Sequence, residues 1–196
     1  MCFKPHVSHV KIKKNKVSNI IFGVFLVLLI IPQTRQPIQV FIQKGLALFG
    51  PSVKAKADQK QIDTYQWNLS DLNGTPFHFE AAQGDVILVN FWATWCPPCI
   101  AEMPSLVDLH DDYKDKVQFL FISNEEKTVI EAFLKKNQFQ IPIHQPISAV
   151  PESLQTSTIP RTLLISKTGK IVIDKTGASN WNSQTVRETI DKLLAE

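Results

Sequence analysis

Past residue 60 the apolar positions fall into runs of strand and helix length. Val86–Phe91 (VILVNF) and Val117–Ile122 (VQFLFI) are nearly continuous apolar stretches, the pattern of strands buried on both faces of a sheet. Gln66 to Leu69 and Pro76 to Phe79 predict short strands about the turn signal Asn73-Gly74. Arg161 to Ser166 and Lys170 to Lys175 predict a hairpin across Lys167-Thr168-Gly169. Helical spacing predicts Cys96 to about Tyr113, with a kink where Pro104 removes a backbone donor. It also predicts Lys127–Lys136, with Ile130, Phe133 and Leu134 on one face, and Ser183–Leu194, with Val186, Ile190, Leu193 and Leu194 inward. Strand, helix, strand, helix, hairpin, helix is an α/β order with a parallel core and an antiparallel edge.

The N-terminal part follows a different pattern. Lys4, Lys11, Lys13, Lys14 and Lys16 precede an apolar run from Ile20 to Ile31 that widens to Val17. Its roughly 22 Å as a helix is short against a hydrocarbon core of about 30 Å. Ile38, Phe41, Ile42, Gly45, Leu46 and Phe49 then share one helical face, as in a helix lying at a membrane surface; packing on the soluble domain is the alternative. The expected organisation is a basic cytoplasmic N-terminus (1–16), a transmembrane anchor (17–31), an amphipathic and linker segment (32–57) and one domain (58–196). Ser52 to Lys60 is the aperiodic joint. A cleaved signal peptide fits less well, because the only good small-x-small site, Ala55-Lys56-Ala57, lies far beyond the run. The lysine excess before the span puts the N-terminus inside and the domain outside, in the periplasm or at the cell surface.

The net charge of +3 hides this division. Residues 1–57 hold nine basic and no acidic residues, whereas all 18 Asp and Glu lie from Asp58 onward. The domain is therefore mildly acidic, which argues against a nucleic-acid partner.

The chemistry concentrates at Trp95-Cys96-Pro97-Pro98-Cys99. Of 3 cysteines the third is Cys2, so the ligands of a structural zinc site are missing and no metal is expected. A thiol at a helix N-terminus is held as thiolate by unpaired amides and the helix dipole, which makes Cys96 the attacking sulfur and Cys99 the resolving one. A static structural disulfide is the bland alternative. Pro97 and Pro98 have no N–H to offer the Cys96 sulfur. That argues for a reducing couple, at ~−270 mV rather than ~−120 mV. No Gly-rich nucleotide motif or second Cys pair is present, so no cofactor is expected and the electrons must come from elsewhere.

The strand, the Trp-rich loop and the dithiol opening a helix resemble the thioredoxin fold. ILVNFWATWCPPCIAEMP, from Ile87 to Pro104, resembles the TlpA/ResA branch of that superfamily, membrane-anchored bacterial thiol-disulfide oxidoreductases; the resemblance covers about residues 60 to 196. It implies a thioredoxin-like fold, a central mixed sheet flanked by helices, with an N-terminal membrane-anchor helix. It implies a redox disulfide Cys96–Cys99, protein thiol and disulfide substrates, electrons from a transmembrane thiol relay, and cytochrome c maturation as one setting.

At C-x-x-C-x-x-E, the resemblance makes Glu102 a group that acts on thiol ionisation. A first-turn acid favoured by the helix dipole is the alternative. Asn90 stands where thioredoxins carry a buried Asp. Pro160 is expected as a cis-proline facing the dithiol, with the Ile159 backbone pairing with substrate. Trp95, Pro97 and Pro98 would contribute to docking. Trp92 is either core or flanking surface, Trp67 and Trp181 are read as packing, and Cys2 as a free cytoplasmic-side thiol. Two rival functions stand beside the reductase: an oxidant that makes disulfides, and a copper-handling module that adds His144 to the thiols.

Overall fold

The computed structural model describes residues 12–30, 32–46 and 49–196. The expectations for Cys2, Lys4, Lys11 and Ile31 lie outside those residues. The chain divides into two compact units, Met1–Gln39 and Val40–Glu196.

Two helices open the described chain, α1 (Ile12–Ile30) and α2 (Pro32–Leu46), the latter with Pro37 inside it. The expected anchor over 17–31 falls on α1, where Ile20, Ile21 and Phe22 are exposed. Among the described residues no helix is long and apolar enough to cross a membrane. Lys13, Lys14 and Lys16 occupy the start of α1, leaving an apolar part of about 14 residues, or roughly 21 Å.

The second unit is built on one seven-stranded sheet. Its strands are β1 (Asn68–Asp71), β2 (Pro76–His78), β3 (Val86–Phe91), β4 (Val117–Ile122), β5 (Ile143–Pro146), β6 (Arg161–Ile165) and β7 (Ile171–Thr176). In space they run β2-β1-β5-β4-β3-β6-β7. Pairs β3–β4 and β4–β5 are parallel, and every other pair is antiparallel. The expected parallel core is present, with antiparallel strands on both of its sides. The helices are α3 (Pro97–Tyr113), α4 (Lys127–Asn137) and α5 (Gln184–Ala195). α3 runs through Pro104 without interruption. α4 ends on Gln138, whose φ of 58° lets its amide return to the Leu134 and Lys135 carbonyls.

Strand alternation splits the interior. Val86 and Leu88 of β3 pack with Met103, Leu106, Ile130, Val186 and Ile190 from the three helices, in the cluster that holds Cys96 and Cys99. Ile87, Val89 and Phe91 face the other way, toward Trp67, Phe79 and Leu154. Asn90 therefore lies on the dithiol side, a polar residue at an inward position.

Ser52–Lys60, aperiodic in sequence, runs beside β7. The Lys54 amide donates to the Val172 carbonyl at 2.9 Å, the Ile171 amide to the Lys60 carbonyl at 2.8 Å, and Lys54 Nζ lies 3.1 Å from Asp174.

Candidate active site

The C-terminal end of β3 delivers the chain into a short loop and then into α3. Pro97 and Pro98 take the first helical positions, where a missing N–H costs nothing and the fixed φ suits a helix. Cys96 becomes the N-cap, with extended backbone, and its sulfur is bonded to Cys99 one turn on. The Cys99 amide also lies 3.3 Å from the Cys96 sulfur. Among the described residues no other hydrogen bond to that sulfur exists. Cys96 is 3% exposed and Cys99 is fully buried, so of the two cysteines only Cys96 reaches solvent at all.

Glu125 braces the loop before the dithiol. Its carboxylate accepts from the Thr94 amide and from the Thr94 hydroxyl, both at 2.6 Å. Trp95, next in sequence, is 65% exposed. It borders a groove of about 630 Å³ that also contacts Phe91, Trp92, Glu125, Val150 and Ile159. The Ile159–Pro160 peptide is cis. Pro160 is buried, Ile159 is half-buried, and among the described residues no hydrogen bond takes up the Ile159 backbone. Pro97 and Pro98 are half-buried at the helix start.

Glu102 sits three residues past Cys99, on the same face of α3, and is 1% exposed. Asn90 Nδ2 at 3.0 Å and Thr162 Oγ1 at 3.3 Å donate to one carboxyl oxygen. The Ser179 amide at 3.3 Å and the Trp181 indole at 3.1 Å donate to the other. Burial nonetheless outweighs these donors and pushes the Glu102 carboxyl up to about 8. The register explains two of them: Asn90 of β3 and Thr162 of β6 are direct partners in the antiparallel ladder, their side chains 2.7 Å apart. Ser179 and Trp181 come from the loop after β7.

The sequence singled out Asn90 and Glu102 but not their partners. Thr162 carried a readable signal, a hydroxyl at an inward position of an apolar strand. Ser179 and Trp181 carried none, and Trp181, read as packing, both packs and donates to Glu102. Trp92 lies in the core against Phe133, ring centroids 5.4 Å apart, and Trp67 is fully buried. His144 is on the opposite side of the sheet from the dithiol: its neighbour Ile143 packs in the cysteine cluster, so alternation sends His144 against Phe77 at 5.2 Å. Among the described residues no cluster of His, Cys, Asp or Glu suits a metal ion.

Such a site, a dithiol at a helix start with a buried acid behind it, is equipped for thiol-disulfide exchange, and known proteins with that activity are similar to this chain. Thiol-disulfide oxidoreductase ResA of Oceanobacillus iheyensis is 31% identical over 124 residues, 62% of this chain. The chain spans 59% of that relative's length. ResA of Halalkalibacterium halodurans is 30% identical over 132 residues, 65% of this chain and 73% of that protein. A thiol:disulfide interchange protein of the thioredoxin family from Chlorobium tepidum TLS superposes with a TM-score of 0.56 at 23% identity, over 70% of this chain and 99% of that one, a likeness of fold. Residues 50–194 match the Redoxin family. The chain belongs to that family, as a ResA-like member of the thioredoxin superfamily.

Proposed function

We propose that the chain is a membrane-tethered reductant of protein disulfides, with its second unit outside the cytoplasm. The Cys96 thiolate attacks one sulfur of a substrate disulfide, that S–S bond breaks, and the departing substrate sulfur takes a proton. Cys99, deprotonated, then attacks the Cys96 sulfur. The substrate leaves as a dithiol and Cys96–Cys99 is oxidised, two electrons having passed to the substrate. Burial that lifts Glu102 to about 8 moves it from the carboxyl range toward that of a thiol, so it takes and returns the Cys99 proton with a smaller mismatch than an ordinary carboxyl would. Burial in one apolar cluster disfavours two negative charges at once.

The observation that carries this reading is the conjunction of a dithiol at the N-terminus of α3 with a buried carboxyl on the same helical face. The helix start supports the direction: Pro97 and Pro98 leave the Cys96 sulfur the single amide of Cys99, a weak hold on a thiolate that favours a reducing couple. The groove beside Trp95 and the free Ile159 backbone suit an extended polypeptide substrate, paired as an added strand. The haem-attachment disulfide of an apocytochrome c is one such substrate implied by the resemblance, and a transmembrane thiol relay would return the dithiol to its reduced form. The test is insulin reduction by the full chain in detergent with a chemical reductant as donor. Cys96→Ser is expected to abolish the activity, and undiminished turnover would sink the proposal.

A further inference from the structure

Phe49 to Lys54 makes specific bonds to the second unit. The Phe49 carbonyl accepts from the Ser179 hydroxyl at 2.9 Å and from the Asn180 amide at 3.0 Å. Pro51 is buried, and at the far end Lys54 pairs with Val172 through its backbone and with Asp174 through its side chain. Between them Gly50 passes so close to Ser183 that an added Cβ would lie 2.7 Å from Ser183 Cβ and overlap its Oγ. Only a residue without a side chain fits.

Ser179 faces two ways. Its hydroxyl holds the Phe49 carbonyl, while its amide holds the Glu102 carboxyl. Two residues on, the Trp181 indole bonds the same carboxyl oxygen and its amide donates to Ser105 Oγ at 3.0 Å. The Ser105 hydroxyl in turn donates to the Glu102 carbonyl at 2.7 Å. The Ser179–Trp181 loop is thus the cover over the acid, with Phe49–Pro51 on its outer side.

We propose that Phe49–Lys54 is a strap that holds the Ser179–Trp181 loop closed over Glu102 and keeps water from its carboxyl, so that the segment leading to the tether positions the acid behind the dithiol. The consequence for catalysis rests on the role proposed for Glu102; the strap itself does not. Gly50 and Ser179 are positioning residues. Displacing the strap hydrates the carboxyl, and because burial is the largest influence on Glu102, its affinity for a proton falls even as some donors are lost.

Urea unfolding of the oxidised full chain in detergent, from pH 5 to 8, reads this directly. Measured relative to Glu102→Gln, the parent is expected to lose stability across that range; the reference removes the opposite trend of the buried His110 and His144, whose lowered pKa values stabilise the fold as pH rises. Gly50→Ala should cut the fall to about half or less. Ser183 makes no capping bond, so Gly50→Ala with Ser183→Gly should restore the parental fall. A Gly50→Ala chain that loses stability equally at every pH, or a double variant that fails to recover the fall, overturns the strap. Should Gly50→Ala not fold, Ser179→Ala decides: it removes the bond to Phe49 and spares the amide on Glu102, and an unchanged fall again overturns the proposal. Exchange activity unaffected by Glu102→Gln would refute the role of the acid and leave the strap result standing.

Discussion

Glu102 sits in a contest between burial and hydrogen bonding. Four donors favour its charged form, yet at 1% exposure the loss of water wins and the carboxyl is held up to about 8. A group that keeps its proton to higher pH in the native state than in the unfolded chain stabilises the fold wherever the native state binds the extra proton. That stability is complete below the unfolded value of about 4.5 and drains away as pH rises toward 8. Relative to Glu102→Gln, the parent is therefore expected to lose a few kcal/mol between pH 5 and 8 in urea unfolding. Glu102→Gln should instead gain stability as pH rises, because burial holds His110 and His144 below the usual imidazole value and they take up protons more readily in the unfolded chain. The amide is tolerated because Asn90 Oδ1 has no partner: turned by half a rotation, the Asn90 amide offers that oxygen to an N–H of the substituted side chain. Glu102→Ala has no such remedy, leaving buried donors of Asn90, Thr162, Ser179 and Trp181 unpaired around a void, and should cost about 3 kcal/mol or more at every pH.

At the scale of elements, the reductant reading proposed above makes the first turn of α3 the part that sets the direction of the chemistry. Restoring backbone donors there with Pro97→Gly and Pro98→His should strengthen the hold on the Cys96 thiolate. Each bond to a charged group contributes about 1.5–3 kcal/mol, so the potential should rise by about 30–60 mV per bond gained, as read by equilibration with glutathione. A potential that does not move would show that the prolines do not set it. This turn was legible in advance because everything that builds it is local: a buried strand, a dithiol, two prolines at a helix start. β3, β4, β6 and α5 were legible for the same reason, each carrying its own periodicity. β5 was not, because four residues closed by Pro146 carry no strand pattern of their own and its place depends on two-residue pairing with β4 and on β1. Ser52–Lys60 looked like a free joint because its bonds are made largely by the backbone, which leaves no side-chain pattern. Ser179 and Trp181 reach Glu102 from 77 and 79 positions away, a closure that no window of sequence displays.

For the whole molecule, the tethered reading proposed above requires α1 to enter a bilayer. Its apolar part spans roughly 21 Å, about 9 Å less than a typical hydrocarbon core. A short segment can still span where the bilayer thins around it and flanking lysines extend their aliphatic stems to the interface. Lys13, Lys14 and Lys16 stand at the N-terminal end of α1, placed for that purpose, and Arg35 and Lys44 follow on the other side. A helix lying flat would instead segregate polar residues along one side, whereas the uncharged part of α1 is apolar all round apart from Ser18 and Asn19, which argues for spanning. Carbonate at high pH separates the two modes, because it strips surface-bound proteins and leaves spanning ones in the pellet. The full chain is expected in the pellet, with protease added to intact spheroplasts degrading the second unit. A chain lacking residues 1–31 should appear in the soluble fraction. Release of the full chain by carbonate would refute the span and leave attachment through an interfacial helix, and with it a dithiol whose electrons must arrive along the membrane surface.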